Sequence, residues 1–191
     1  MRDAPMGDPK RVAILISGRG SNMRALIEQA SGYEVVLVAS NKPQAPGLDY
    51  ARGVEISTWT WDSKGVSREQ FEAALGRALR DHRVGTIALA GYMRLLSPSF
   101  VEEWRGRIVN IHPSLLPKYP GLDTHARAIA ARDTVSGCSV HIVTDKVDAG
   151  EVIARAEVPI EPGDDVESLE RRVLKAEHAL YPAALAEFVK Q

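Results

Sequence analysis

Val12-Ala13-Ile14-Leu15-Ile16 and Val35-Val36-Leu37-Val38-Ala39 are continuous apolar runs, and Thr86-Ile87-Ala88-Leu89-Ala90 repeats the pattern. A strand with one wet face alternates polar and apolar residues. Runs without alternation need cover on both faces, which is the condition of parallel strands inside an α/β sheet. Segments with helical spacing lie between them: Met23, Leu26, Ile27 and Ala30, then Phe71, Ala74, Leu75, Ala78 and Leu79 within Arg68–Arg83. A short helix over Leu48–Arg52 and a strand at Ile56–Trp59 complete an alternation of β and α segments. That order predicts a doubly wound, Rossmann-like sheet.

After a strand at 107–112 the texture changes. Ser139–Thr144 alternates, Val152–Ile160 is extended, and Lys146–Glu151 is a polar turn between them, which predicts an antiparallel pair added to the sheet. Asp164 and Glu167 have the spacing of a capping box opening a last helix that runs to about Val189. The expected fold is α/β: a single doubly wound, mostly parallel sheet with an antiparallel C-terminal extension and helices on both faces. The 191 residues suit one such domain over 11–191. Residues 1–10 carry two prolines and no apolar core, so they read as a disordered leader rather than a signal peptide.

A formal net charge of -1 gives no global attraction for nucleic acid or an anionic membrane, so phosphate recognition has to be local. The lone cysteine, Cys138, excludes a disulfide framework and any multi-cysteine metal site. It reads as a small buried thiol in a reducing, cytoplasmic protein. No apolar run approaches the ~20 residues that span a bilayer.

Two local motifs carry chemistry. Ser17-Gly18-Arg19-Gly20-Ser21-Asn22 joins the first strand to the first helix. Its glycines allow close backbone approach, the helix start offers free N–H groups, and Ser21 and Asn22 add side-chain donors. Met23 stands where a dinucleotide fingerprint needs its third glycine, and no Gly-Lys-Ser/Thr triplet follows, so the turn suits a single phosphate monoester or is simply a capped turn. The second motif is Ile108-Val109-Asn110-Ile111-His112-Pro113-Ser114-Leu115-Leu116-Pro117-Lys118-Tyr119-Pro120-Gly121. In an extended chain Asn110 and His112 share a face. They are either a capped strand end with a structural histidine, or an oxyanion donor beside a proton carrier. Asp148, in the turn Thr144-Asp145-Lys146-Val147-Asp148-Ala149-Gly150, either closes an Asx turn or holds His112 in its charged form. His141 lies mid-strand and faces either cleft or core, and His125 sits at a helix start as a possible cap. The histidine spacings make no metal site.

Taken in order, these segments resemble the folate-dependent formyltransferases that act on glycinamide ribonucleotide in purine biosynthesis. The resemblance runs from Arg11 to Phe188 and includes Ser40-Asn41-Lys42, Ala90-Gly91-Tyr92-Met93-Arg94-Leu95-Leu96-Ser97-Pro98 and Ala176-Glu177-His178-Ala179-Leu180-Tyr181-Pro182. It implies formyl transfer from 10-formyltetrahydrofolate, as co-substrate, to the amine of glycinamide ribonucleotide, without metal or covalent intermediate. It implies Asn110, His112 and Asp148 as the catalytic trio, Gly20, Ser21 and Asn22 on the phosphate, and Glu177 at the glycinamide end. It places the folate against Arg68, Met93, Arg94, Leu95, Leu96, Asn110, Val143 and Asp145. Ala149 stands where the family often has glycine, and Leu174 where some relatives are polar.

The Asn-x-His-Pro-Ser-Leu-Leu-Pro segment also resembles methionyl-tRNA formyltransferase and formyltetrahydrofolate deformylase. The first is expected to carry a C-terminal tRNA-contacting domain, the second an N-terminal regulatory one. The Gly-Arg-Gly-Ser-Asn turn favours the ribonucleotide. A non-catalytic nucleotide-binding module is the alternative from another class.

Overall fold

The computed structural model describes residues 7–62 and 64–191. The chain runs β1 (Arg11–Ile16), α1 (Ser21–Glu28), β2 (Glu34–Ser40), α2 (Gly47–Gly53), β3 (Thr58–Thr60), α3 (Arg68–Asp81), β4 (Thr86–Leu89), α4 (Pro98–Glu103), β5 (Ile108–His112), α5 (Thr124–Ala130), β6 (Val135–Ile142), β7 (Val152–Pro159) and α6 (Val166–Phe188). Among the described residues the strands form one seven-stranded sheet in the order β3-β2-β1-β4-β5-β6-β7. Pairing is parallel from β3 to β5 and antiparallel for β5–β6 and β6–β7. This is the expected sheet with its antiparallel extension.

The apolar runs are explained by the two layers that cover the sheet. Val12, Ile14 and Ile16 join Met23, Leu26, Leu169, Val173 and Tyr181 on the side of α1 and α6. Ala13 and Leu15 join Phe71, Leu75, Leu79, Phe100 and Trp104 on the side of α3 and α4. With helices on both sides, every residue from Val12 to Ile16 is fully buried.

Several local expectations shift. The first alternating strand starts at Val135, four residues early, because Ser136 and Gly137 are buried and hide the alternation. A Cβ at Gly137 would lie 2.1 Å from the Ala156 carbonyl oxygen, so the close approach of β7 requires glycine there. The cap of α6 is Asp165, whose carboxylate accepts from Ser168 N at 2.8 Å while Asp165 N donates to Ser168 Oγ at 3.0 Å. Asp164 instead accepts from both terminal nitrogens of Arg172, at 2.7 and 2.9 Å, and Glu167 takes no part in the box. The third strand lies at Thr58–Thr60, and α4, only six residues long, was not expected. Of the expected leader, residues 1–6 lie outside the described residues. Gly7 N donates to Val84 O at 3.3 Å and Thr86 Oγ1 to Pro9 O at 2.7 Å, so ordered chain begins before Arg11. No helix among the described residues is long and apolar enough to cross a membrane.

Strand order reverses between β1 and β4, and such a reversal opens a crevice at the carboxyl ends of the strands. One buried serine ties the loops there together. Ser17 N donates to Gly91 O (3.1 Å), its hydroxyl donates to Asn41 Oδ1 (2.6 Å), and Met93 N donates to that hydroxyl (2.8 Å).

Candidate active site

The glycine turn opens directly onto this crevice. Gly20 caps α1 with φ at +71°, in the left-handed region, and a Cβ there would also approach Met23 Cε to 3.1 Å. No side chain caps α1, so its first N–H groups lack a side-chain acceptor. Ser21 is the first helical residue. Asn22 departs from expectation: its side chain is buried, and Nδ2 donates to Glu177 Oε2 at 2.7 Å. It therefore joins α1 to α6 instead of adding a side-chain donor to the turn. Burial pushes the Glu177 carboxyl above its ordinary range, and the bond from Asn22 offsets this only in part.

The second half of the site is built across β5 and β6. Val109 and Ile111 point into the α6-side core, which sends Asn110 and His112 to the other face with Ile108. The antiparallel register sets His141 directly opposite Asn110 and Ser139 opposite His112. Asn110 Nδ2 lies 3.1 Å from His141 Nε2. From the loop after β6, the Asp148 carboxylate reaches between the imidazoles, with Oδ2 3.4 Å from His112 Nδ1 and Oδ1 3.4 Å from His141 Nε2. Gly121 N donates to Oδ2 at 2.8 Å. Asp148 has φ at +51°, yet its carboxylate is engaged by these distant groups and closes no Asx turn. Burial works against its charge. The hydrogen bonds from His141 and Gly121, with the charge of His112, outweigh burial and hold its pKa below the usual carboxylate value.

Carbonyl oxygens only accept, and that fixes donors at both histidines. His112 Nε2 donates to Tyr119 O at 2.9 Å, and His141 Nδ1 donates to Ile142 O at 3.1 Å. His141 Nε2 then has two uses: neutral, it accepts from the Asn110 amide; protonated, it donates to Asp148. An amide, two imidazoles and a carboxylate on one face can stabilise a developing oxyanion and move a proton.

Of the residues expected on the folate, Asn110 belongs to this cluster, and the others lie in the loop after β4, at the start of α3 and between β6 and β7. Met93 and Leu95 are 74% and 60% exposed in the loop after β4, while Leu96 packs against the core on the α3 side. Arg94 donates to Val66 O at 3.4 Å and lies 5.2 Å from the Phe71 ring centroid. Val143 packs against the same core as Leu96, and its N–H donates to Ile108 O at 2.8 Å. Arg68 opens α3 at the surface and Asp145 is exposed in the hairpin turn, and neither hydrogen-bonds to the cluster. Ala149 is exposed, whereas a Cβ on Gly150 would lie 1.7 Å from Ile142 O, so the close approach is made by Gly150. Leu174 is half-buried on α6.

His141 and the two backbone groups of Tyr119 and Gly121 are the members that spacing did not single out. His141 was open between cleft and core, and only the β5–β6 register places it in the cleft. His125 is the second residue of α5 and does not cap it; burial lowers its pKa, and the nearby charge of His112 adds to this. Cys138 is fully buried, which pushes its thiol up to about 12 and makes it a poor nucleophile.

Comparison with known proteins gives the family. The formyl transferase family profile matches residues 10–185. The chain is 43% identical over 182 residues to phosphoribosylglycinamide formyltransferase of Escherichia coli, covering 93% of this chain and 86% of that protein. It is 52% identical over 187 residues to the trifunctional purine biosynthetic protein adenosine-3 of Drosophila melanogaster, covering 94% of this chain but spanning only 14% of that longer protein. The crystal structure of phosphoribosylglycinamide formyltransferase from Brucella melitensis superposes with a TM-score of 0.89 at 49% identity, covering 95% of this chain and 96% of that one.

Proposed function

Since the chain belongs to the formyl transferase family, we propose that it moves a formyl group from 10-formyltetrahydrofolate to the amine of glycinamide ribonucleotide, a step of purine biosynthesis. The observation that carries this proposal is the placement of Asp148 between His112 and His141, with Asn110 beside them on the same face of β5 as Ile108. Residues 11–191 act as one formyltransferase domain on small-molecule substrates, and the lone cysteine fits a reducing, cytoplasmic setting.

The substrate phosphate sits on the Gly18–Asn22 turn, using Gly20, Ser21 and Asn22 through their backbone. Glu177, fixed by Asn22, takes the glycinamide end. The turn and Glu177 belong to the α1–α6 side of the sheet and the trio to the other. The ribonucleotide therefore lies across the strand ends, with its amine delivered to β5. The folate enters along Met93–Leu96, Arg68, Val143 and Asp145.

The neutral amine attacks the formyl carbon, and the carbonyl oxygen becomes an oxyanion. Asn110 donates to it, an interaction worth about 3 kcal/mol for one well-placed donor. His112 supplies positive charge. Its Nε2 is committed to Tyr119 O at 2.9 Å, so the nitrogen that turns to the reaction is Nδ1, whose 3.4 Å contact with Asp148 is looser. Asp148 orients that ring and, through a water, takes the proton the amine loses. The C–N10 bond breaks as N10 gains a proton, releasing tetrahydrofolate.

Tetrahydrofolate release measured with and without glycinamide ribonucleotide tests the proposal. Release that requires the ribonucleotide supports it. Release without it makes the protein a deformylase, and no release makes it a binding module.

A further inference from the structure

Residues 113–123, between β5 and α5, lie against the polar cluster and give it two backbone groups. The Tyr119 carbonyl accepts from His112 Nε2 at 2.9 Å, and the Gly121 N–H donates to Asp148 Oδ2 at 2.8 Å. Both residues are left-handed, with φ at +53° for Tyr119 and +79° for Gly121. A tyrosine holds that conformation only where its surroundings impose it.

The restraint is visible on the outer side of the loop. Tyr119 Oη donates to Asp133 Oδ2 at 2.8 Å, and Lys118 Nζ donates to Asp133 Oδ1 and Oδ2 at 3.2 and 3.0 Å. The Arg127 guanidinium lies 5.1 Å from the Tyr119 ring centroid, and its Nη1 donates to Pro120 O at 2.7 Å. One carboxylate thus holds two consecutive residues, and the second of these carries the carbonyl that orients His112. We propose that Asp133 is a positioning residue, which through Tyr119 and Lys118 fixes the loop backbone that aligns His112 and Asp148. The inference rests on the formyl-transfer function proposed above. The bonds from Lys118 and Tyr119 hold the Asp133 carboxyl below its ordinary pKa, so it is ionised at neutral pH. The Lys118 side chain is 61% exposed, and an ion pair with one partner so open to solvent adds little to global stability. Its effect belongs at His112.

The test uses Tyr119→Phe, which removes one hydroxyl, beside Asp133→Ala in the full chain. Each is expected to lower kcat about tenfold, leave both KM values within about twofold, and barely move Tm. The double variant is expected to be no worse than Asp133→Ala, since both changes break one link. Asp133→Asn, which keeps an acceptor for the tyrosine hydroxyl, should recover most of the loss. In the unliganded protein at fixed pH, the NMR signals of the His112 ring and the Gly121 amide should shift in Tyr119→Phe and Asp133→Ala, because the loop groups that meet His112 and Asp148 are displaced. Unmoved signals at His112 and Gly121 overturn the proposal, whether activity is kept or falls in step with Tm. Shifted signals in a protein that never transfers formyl leave the positioning role standing and remove the proposed function instead.

Discussion

The glycine turn and the β5 cluster, the two ends of the proposed site, are built on opposite plans. The turn draws its donors from the backbone of consecutive residues, with Gly20 at φ +71° and no side chain capping α1. The cluster draws side chains from β5, β6 and the loop after β6, and completes them with backbone groups from the strap at Tyr119 and Gly121. A site made of peptide N–H groups survives truncation of its side chains, whereas one made of converging side chains loses a working part with each. The two ends should therefore respond to mutation very differently.

The largest separation is expected from Asn110→Ala and His112→Ala. Each should lower kcat on the order of 100-fold or more with small changes in KM, the scale for one oxyanion donor or one acid/base group. Steady-state kinetics beside a melting curve decide it, and near-normal turnover in either variant would return that residue to a structural role.

Asp148→Asn comes next, at about tenfold or more in kcat, and it brings a pH signature. The folded carboxyl is held below its ordinary 3.8. Its stabilisation is therefore present above that value and lost as pH falls through the lower folded one. Wild type should lead the variant in unfolding free energy near neutral pH and lose that margin as pH falls below 3.8, so its stability, followed by circular dichroism, should fall more steeply on the acid side. Identical acid limbs would mean that the carboxylate contributes nothing there.

Glu177→Gln, on the side of the glycine turn, should raise KM for the ribonucleotide about tenfold and leave kcat largely intact. Its pH behaviour has the opposite sign. The folded carboxyl is raised above 4.5, so stability is full below that value and declines as pH rises through the folded one. The glutamine has no charge to bury, and its amide can donate to the otherwise unpartnered Asn22 Oδ1 once that side chain turns over. The variant should gain stability relative to wild type between pH 4.5 and neutrality. A variant that loses stability over that range would show that the charged form is the favoured one.

The same division governs what could be read from sequence. The turn is contiguous, so its glycines and their place after a buried strand were legible. The buried strands were legible because helices on both faces erase polar residues. What escaped depends on pairing: His141 enters the cleft through the β5–β6 register, and the start of β6 was hidden because Ser136 and Gly137 are buried against β7. Asn22 was misjudged for the same reason, since its partner Glu177 lies 155 residues away. The α6 cap slipped by one residue because Asp164 and Asp165 are both eligible, and only the bonds from Arg172 show which is occupied elsewhere.

The smallest expected effect is the sharpest test of the comparison. Ser21 begins α1, and its hydroxyl is one donor among several peptide N–H groups at the same helix start. Removing it should cost no more than the net value of one hydrogen bond, about threefold in KM for the ribonucleotide, with kcat unchanged. The helix N–H groups and the dipole that favours an anion remain in Ser21→Ala. If Ser21→Ala raised KM as steeply as Asn110→Ala lowers kcat, the phosphate would be held by side chains after all. The turn and the cluster would then be built alike.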